Sequence, residues 1–231
     1  MSQLYLVRHG QASFGADNYD QLSPLGLQQS QWLGEYFHEL GVRFDRIITG
    51  SMLRQRQTAD GILLASRQQQ KVQTDTGFNE FDFHALAAVY CQISGIELPG
   101  TADGGRLFFQ MLRRAMQAWS RDELHAVDPD HQAGGLETWQ QFHDRVHLGM
   151  QSIYAEEAEQ TVLVVSSGGA MAMAVSQVLG CGVDALIDLN MQTRNTGIHQ
   201  FFFNPRGFQL AGFNALPHLQ RKDRLKFLTY T

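Results

Sequence analysis

Leu4-Tyr5-Leu6-Val7-Arg8-His9-Gly10 opens the chain with the signature of an α/β fold. Four apolar residues in a row read as a short buried strand. The run then breaks into a guanidinium, an imidazole and a glycine. Ligands of open α/β sheets bind at the carboxyl ends of strands, so Arg8 and His9 stand where such a fold places its chemistry. Gly10 lets the backbone turn sharply and lets an anion come close.

The neighbouring segments extend this into a fold. Residues 11–20 form a loop of mostly small and polar residues. Ser23-Pro24 starts a helix, with serine as N-cap and proline in the first turn. Leu25, Trp32, Leu33, Tyr36, Phe37 and Leu40 recur at helical spacing up to Gly41. Ile47-Ile48 predicts a second strand over 46–49, which breaks at Gly50-Ser51 and enters a helix over 52–66; a third strand is expected at 72–74. Strands alternating with helices imply crossover connections and a parallel sheet. The pattern then changes, with helices over 85–94 and 106–120, a Gly/Pro-rich loop over 95–105 and no strand. A further helix is expected at 136–158, a deeply buried strand at 162–165 and a helix at 169–179. Strands at 198–203 and 208–213 flank Asn204-Pro205-Arg206-Gly207, a hairpin turn. Residues 221–226 read as a solvated basic tail. The expected architecture is a three-layer α/β sandwich with a mainly parallel central sheet flanked by helices. It forms one domain over 1–231, with a helical cap inserted at about 84–135.

Composition narrows the partners. With 43% hydrophobic and 18% charged residues, the 231-residue chain is an ordinary globular protein. A net charge of -5 and a pI near 6.0 argue against a nucleic-acid surface. Cys91 and Cys181 have no metal or redox spacing and fit a reduced compartment. No leader-like segment opens the chain, and a cytoplasmic protein is expected. Residues 161–183 carry no charge and are long enough to span a bilayer, but Ser166-Ser167-Gly168-Gly169 interrupts them. They read as strand, turn and helix, so no membrane partner is predicted. His143-Asp144-Arg145-Val146-His147 mimics a zinc helix, yet aspartate replaces the expected glutamate and no third ligand is evident. No metal and no cofactor are predicted.

Three strand ends carry the chemistry: Arg8-His9-Gly10, Gly50-Ser51 leading to Arg54, and Ser166-Ser167-Gly168-Gly169. If the strands are parallel neighbours, these ends converge. Two forked guanidiniums suit a phosphoryl group. Helix starts after Ser51 and Gly168 would add backbone donors. A neutral imidazole is a nucleophile that can take a phosphoryl group and release it to water. On residue type alone, Arg54 and Arg56 both read as solvated helix residues.

Leu6-Val7-Arg8-His9-Gly10-Gln11 resembles the signature of the histidine phosphatase superfamily, which includes the cofactor-dependent phosphoglycerate mutases. The segment from Leu22 to Gln29 resembles the family's Leu-Thr-x-x-Gly-x-x-Gln helix start. Arg54-Gln55-Arg56-Gln57-Thr58-Ala59 resembles its Arg-Ala-x-Gln-Thr-Ala segment. Phe78-Asn79-Glu80 resembles the Leu-x-Glu loop, and Gly134-Gly135-Leu136-Glu137-Thr138 with Arg145-Val146 resembles Gly-Gly-Glu-Ser leading to Arg-Val. The resemblance implies His9 as phosphorylated nucleophile and Arg8 and Arg54 as phosphate clamps. It implies Glu80 as acid/base, with Asp82 a rival, and Ser167 and Gly168 as phosphate-binding. Glu137 reads as structural, paired with Arg145.

The departures weigh on activity. Ser167 stands where the family has a second histidine. A hydroxyl can donate one hydrogen bond but carries no positive charge, and losing such a donor typically lowers rate by about a hundredfold. His84 and His199 are the imidazoles that could substitute. Gly15 stands where mutase-like members carry asparagine, and Gly50 where the family has serine. The implied function is hydrolysis of a small phosphate monoester through phosphohistidine. The alternatives are a phosphoglycerate mutase and an attenuated phosphate-ligand binding or regulatory protein. Neither the substrate nor the oligomeric state is encoded in a readable pattern.

Overall fold

The computed structural model describes residues 1–13, 20–100, 105–124, 136–154 and 159–230. Gly15, Gly134 and Gly135 lie outside the described residues.

Strand β1 (Ser2–Arg8) lies inside a six-stranded sheet with β2 (Arg46–Thr49), β3 (Val72–Thr74), β4 (Thr161–Ser166), β5 (Ile198–Asn204) and β6 (Gly207–Ala215). The spatial order is β3-β2-β4-β1-β5-β6. The pairs β1–β4, β2–β4 and β2–β3 are parallel, so the expected mainly parallel sheet is present; β5 and β6 add an antiparallel hairpin at one side. The register sets Arg8 opposite Ser166 and Thr49 opposite Val165. Three strand ends therefore finish level at one edge.

The two faces of the sheet explain the layers. Val7, Ile47, Leu163 and Val165 point to helices α1 (Pro24–Glu39) and α2 (Leu53–Ser66). Leu4, Leu6, Ile48, Val162 and Val164 point the other way, to α5 (Trp139–Ile153) and α6 (Gly168–Leu179). Val164 and Val165 are fully buried on opposite faces, as parallel strands covered on both sides require. Each such side chain contributes about 1.5–3 kcal/mol by leaving water.

Helices α3 (Phe83–Ser94) and α4 (Arg106–Ser120) lie between β3 and α5, and both feed side chains into the α5–α6 core. Among the described residues of this stretch there is no strand. Helix α1 begins where Ser23 accepts the N–H of Gly26. Two expectations change. Helix α7 (Val183–Gln192), absent from the sequence reading, follows α6; it is short and its N-cap, Gly182, provides no side-chain bond. The basic tail is docked rather than solvated. Arg224 pairs with Glu35 and lies over the Trp32 ring, while Phe227 packs on the same ring. The main chain of Thr229 then pairs with Asn195. Among the described residues no helix is long and apolar enough to cross a membrane; residues 161–183 contain β4, α6 and the start of α7.

Candidate active site

A cavity of about 440 Å³ opens over the carboxyl edge of β1, with Arg8, His9, Arg54 and Glu80 in its wall. His9 is 2% exposed and is held from three sides. Its main-chain N–H donates to Ser166 O at 2.9 Å, and its carbonyl accepts from Asn195 Nδ2 at 3.2 Å. The next residue, Gly10, donates to Thr58 Oγ1 at 3.0 Å. Gly10 is required because a methyl there would sit 2.4 Å from the carbonyl oxygen of Gly26.

The ring's own contacts fix its tautomer. Nδ1 lies 2.7 Å from the carbonyl oxygen of Gly10, which can only accept. Nε2 receives the Nε–H of Arg54 at 3.3 Å, a group that can only donate. Nδ1 therefore carries the proton and Nε2 presents a lone pair. Burial, then the charges of Arg54 and Arg8, hold the imidazole well below its ordinary value of 6.5, despite the bond to Gly10. At neutral pH the His9 imidazole is neutral, with the lone pair of Nε2 turned to the Arg54 guanidinium.

Each arginine is tethered elsewhere. Arg8 donates to the carbonyl of Thr193. Arg54, 4% exposed, pairs with Asp20 at 2.8 Å. Asp20 also accepts the N–H groups of Leu53 at 2.9 Å and Arg54 at 3.4 Å, so one carboxylate caps α2 and aims its guanidinium. Both guanidiniums stand in one cavity wall, and their forked donors suit the oxygens of a phosphoryl group. Arg56, two residues on from Arg54, is exposed.

Glu80 faces the arginines on an irregular loop. Its Oε2 accepts the N–H of Gly169 at 2.9 Å and its Oε1 that of Phe81 at 3.2 Å. A methyl at Gly169 would come within 2.3 Å of Oε1 and 2.4 Å of the Phe81 ring. Burial raises the Glu80 carboxyl above 4.5, while the Gly169 bond and the charges of Arg54, Arg8 and Arg145 pull it down. Arg145 braces the loop: it binds Glu137 through both carboxylate oxygens at 2.6 and 2.7 Å and donates to the carbonyls of Gly77 and Asn79 at 3.1 and 2.8 Å. Asp82, the rival carboxylate, is exposed and caps α3 by accepting from Ala85.

The remaining sequence candidates fall elsewhere. Ser167 is fully buried and does not line the cavity, because its hydroxyl accepts from Gln55 Nε2 at 2.9 Å. Gly168 lies behind Arg8; a methyl there would stand 3.6 Å from Arg8 Nε and 2.8 Å from Asn190 Oδ1. The α6 N-terminus directs the N–H of Gly169 to Glu80 rather than to the cavity. His84 is exposed on α3, with its ring against Phe83. His199 is fully buried in β5, accepts from the Asn214 N–H at 2.9 Å and stacks on Phe213. Neither ring lines the cavity, whose wall holds one imidazole, that of His9, among the described residues. His143 meets Asp144, and His147 meets Gln151, on an exposed side of α5.

Gln55 is the residue the sequence reading passed over. It stands where the family segment has alanine, and its fully buried amide bridges Ser167 Oγ and Phe78 O at 2.9 and 3.0 Å. A methyl on Gly50 would lie 2.0 Å from Gln55 Oε1. Three departures from the family pattern, Gly50, Gln55 and Ser167, thus form one contact. Asn190 and Tyr230, which also line the cavity, were missed because the helix and the docked tail carrying them were missed.

The sequence matches the model of the histidine phosphatase superfamily (branch 1) over residues 4–92 and 105–216. A Salmonella paratyphi B protein named "Probable phosphoglycerate mutase GpmB" is 25% identical over 219 residues, covering 92% of this chain and 90% of that one. A phosphoglycerate mutase from Bacillus anthracis superposes with a TM-score of 0.66 at 18% identity, over 94% of each chain. The alpha-ribazole phosphatase of Shigella flexneri gives 0.62 at 20% identity, over 92% of this chain and 96% of that one. At these identities the two structures speak for the fold alone. The family model, the signature around His9 and the shared architecture agree, and the chain belongs to branch 1 of the histidine phosphatase superfamily.

Proposed function

We propose that the protein hydrolyses small phosphate monoesters through a covalent phosphate on His9. The observation that carries this reading is the fixed tautomer of a buried imidazole: Nε2 carries no proton and lies against Arg54 in the wall of a cavity that Arg8 also lines. The ester's phosphoryl oxygens take the two guanidiniums, which supply the positive charge that the migrating group needs. Nε2 attacks phosphorus and the bond to the ester oxygen breaks. Glu80, kept partly protonated by burial, gives its proton to the departing oxygen. The resulting carboxylate then takes a proton from water as that water attacks phosphorus, the P–N bond breaks, and inorganic phosphate leaves. Helices α3 and α4 act as the cap over the leaving group.

One observation favours a slower enzyme or a phosphate-ligand binding protein. The side chain at 167 is turned into the protein toward Gln55 and brings nothing to the transferring group. The mutase alternative would need a phosphoenzyme that outlives product exchange. A steady-state screen of phosphate esters separates these readings. Phosphate release above a His9→Ala control is expected. Its absence with tight ester binding would point to the binding protein, and mutase rates on 3-phosphoglycerate would reverse the order.

A further inference from the structure

The cavity is much larger than a phosphoryl group, and its far wall has a definite chemistry. At about 440 Å³ it falls in the range of sites for whole small molecules. Helix α4 supplies most of that wall. Phe108, Phe109 and Leu112 present apolar surface, joined by Phe83 from α3 and Met191 from α7. Arg106, Gln110 and Arg113 lie at i, i+4 and i+7 and so form one stripe along the helix. Arg113 is paired with Asp188. Arg106 is exposed at the rim and has neither an ion pair nor a hydrogen bond among the described residues. Among the described residues the wall holds one carboxylate, Glu80, which is bound to the N–H groups of Gly169 and Phe81. A small polyol or amino-acid ester would leave the aromatic surface wet, and a polyol would also leave the rim cation unmatched. A flat apolar leaving group gains by covering the rings, and an acid group on it gains a charge-assisted contact.

We propose that the leaving group is an aromatic or similarly flat apolar body bearing a second acid group, which Arg106 receives. This rests on the hydrolase reading of the same cavity. The test uses para-(carboxymethyl)phenyl phosphate, its methyl ester and 3-phosphoglycerate. The two aryl esters have nearly the same leaving oxygen and differ by one charge. Binding is measured by calorimetry on His9→Ala protein, which cannot consume them, and kcat/KM on wild type. The aryl acid is expected to bind on the order of fivefold tighter than its methyl ester, as a rim-exposed charge contact warrants, and 3-phosphoglycerate weakest. The acid-to-ester ratio should fall toward one in Arg106→Ala. Equal or tighter binding of 3-phosphoglycerate, or a ratio that Arg106→Ala leaves unchanged, would overturn the proposal. The expected binding order without turnover by wild type would leave it standing and remove the hydrolase reading instead.

Discussion

His9 and Glu80 line one cavity with their proton affinities displaced in opposite directions, one well below the ordinary imidazole value and one above the ordinary carboxyl value. Burial is the first cause for both, because it penalises the charged form whichever its sign. The shifts bias the pair toward a neutral imidazole and a protonated carboxyl. As pH rises through the folded value of Glu80, the acid is lost; as pH falls through that of His9, the nucleophile is lost. The kcat/KM profile should be bell-shaped, with His9 setting its acid limb and Glu80 its alkaline limb. Glu80→Gln should remove its alkaline limb, and an alkaline limb that persists would assign it to another group. The same variant should lose about a hundredfold or more on an alkyl phosphate and far less on para-nitrophenyl phosphate, whose oxygen leaves without a proton. Equal losses on both would deny Glu80 the acid role.

Between elements, the site is held by polar bridges that run across the sheet edge rather than along the chain. Gln55 of α2 joins the loop before Glu80 to the start of α6, and Phe78 O accepts from both Gln55 and Ser166 Oγ. Gly50 leaves the space that Gln55 Oε1 and, slightly farther off, Asn79 Oδ1 occupy. Gly50→Ala should therefore destabilise by about 1–3 kcal/mol through overpacking, since the buried amide cannot swing aside without breaking both bonds. In a Gln55→Ala background the same change should cost at least about 1 kcal/mol less, a coupling that a double-mutant cycle in urea would read. Additive effects would show that the two positions are independent. Sequence made the elements legible wherever periodicity was strong. The strand ends, the first two helices and the hairpin all fall within a residue or two of expectation. It could not show that Ser167 turns to Gln55, because that depends on a contact across 112 positions of chain. Nor did it show Asp20 capping α2, where the acceptor sits 33 residues before the N–H it binds. Helix α7 escaped because Gly182 gives no capping signal.

For the molecule as a whole, buried imidazoles tie stability to pH. His199 is lowered to about 4 by burial, and His218 to about 3 by burial and then by Arg224. Each is below its unfolded value, so the unfolded chain binds the extra protons first. The stabilisation is complete above about 6.5 and is lost as pH falls toward those folded values. By pH 4 the two together should remove on the order of 5 kcal/mol. The Tm should drop steeply between pH 6 and pH 4 and hold steady between pH 7 and pH 8; a flat Tm down to pH 4 would contradict this burial. The architecture was readable because a parallel sheet buried on both faces writes itself as apolar runs. The docking of the basic tail was not, since Arg224 and Phe227 find Trp32 through tertiary contact alone.

The proposed reaction turns on one atom, Nε2 of His9, which is expected to carry the phosphoryl group. The direct measurement is to mix enzyme with a phosphate ester, quench in alkali within milliseconds, and locate the adduct by peptide mass spectrometry and phosphorus NMR. One phosphoryl group on His9, attached at Nε2 and absent from His9→Ala, is the predicted result. Turnover with no adduct, or an adduct at Nδ1 or on another residue, would contradict it.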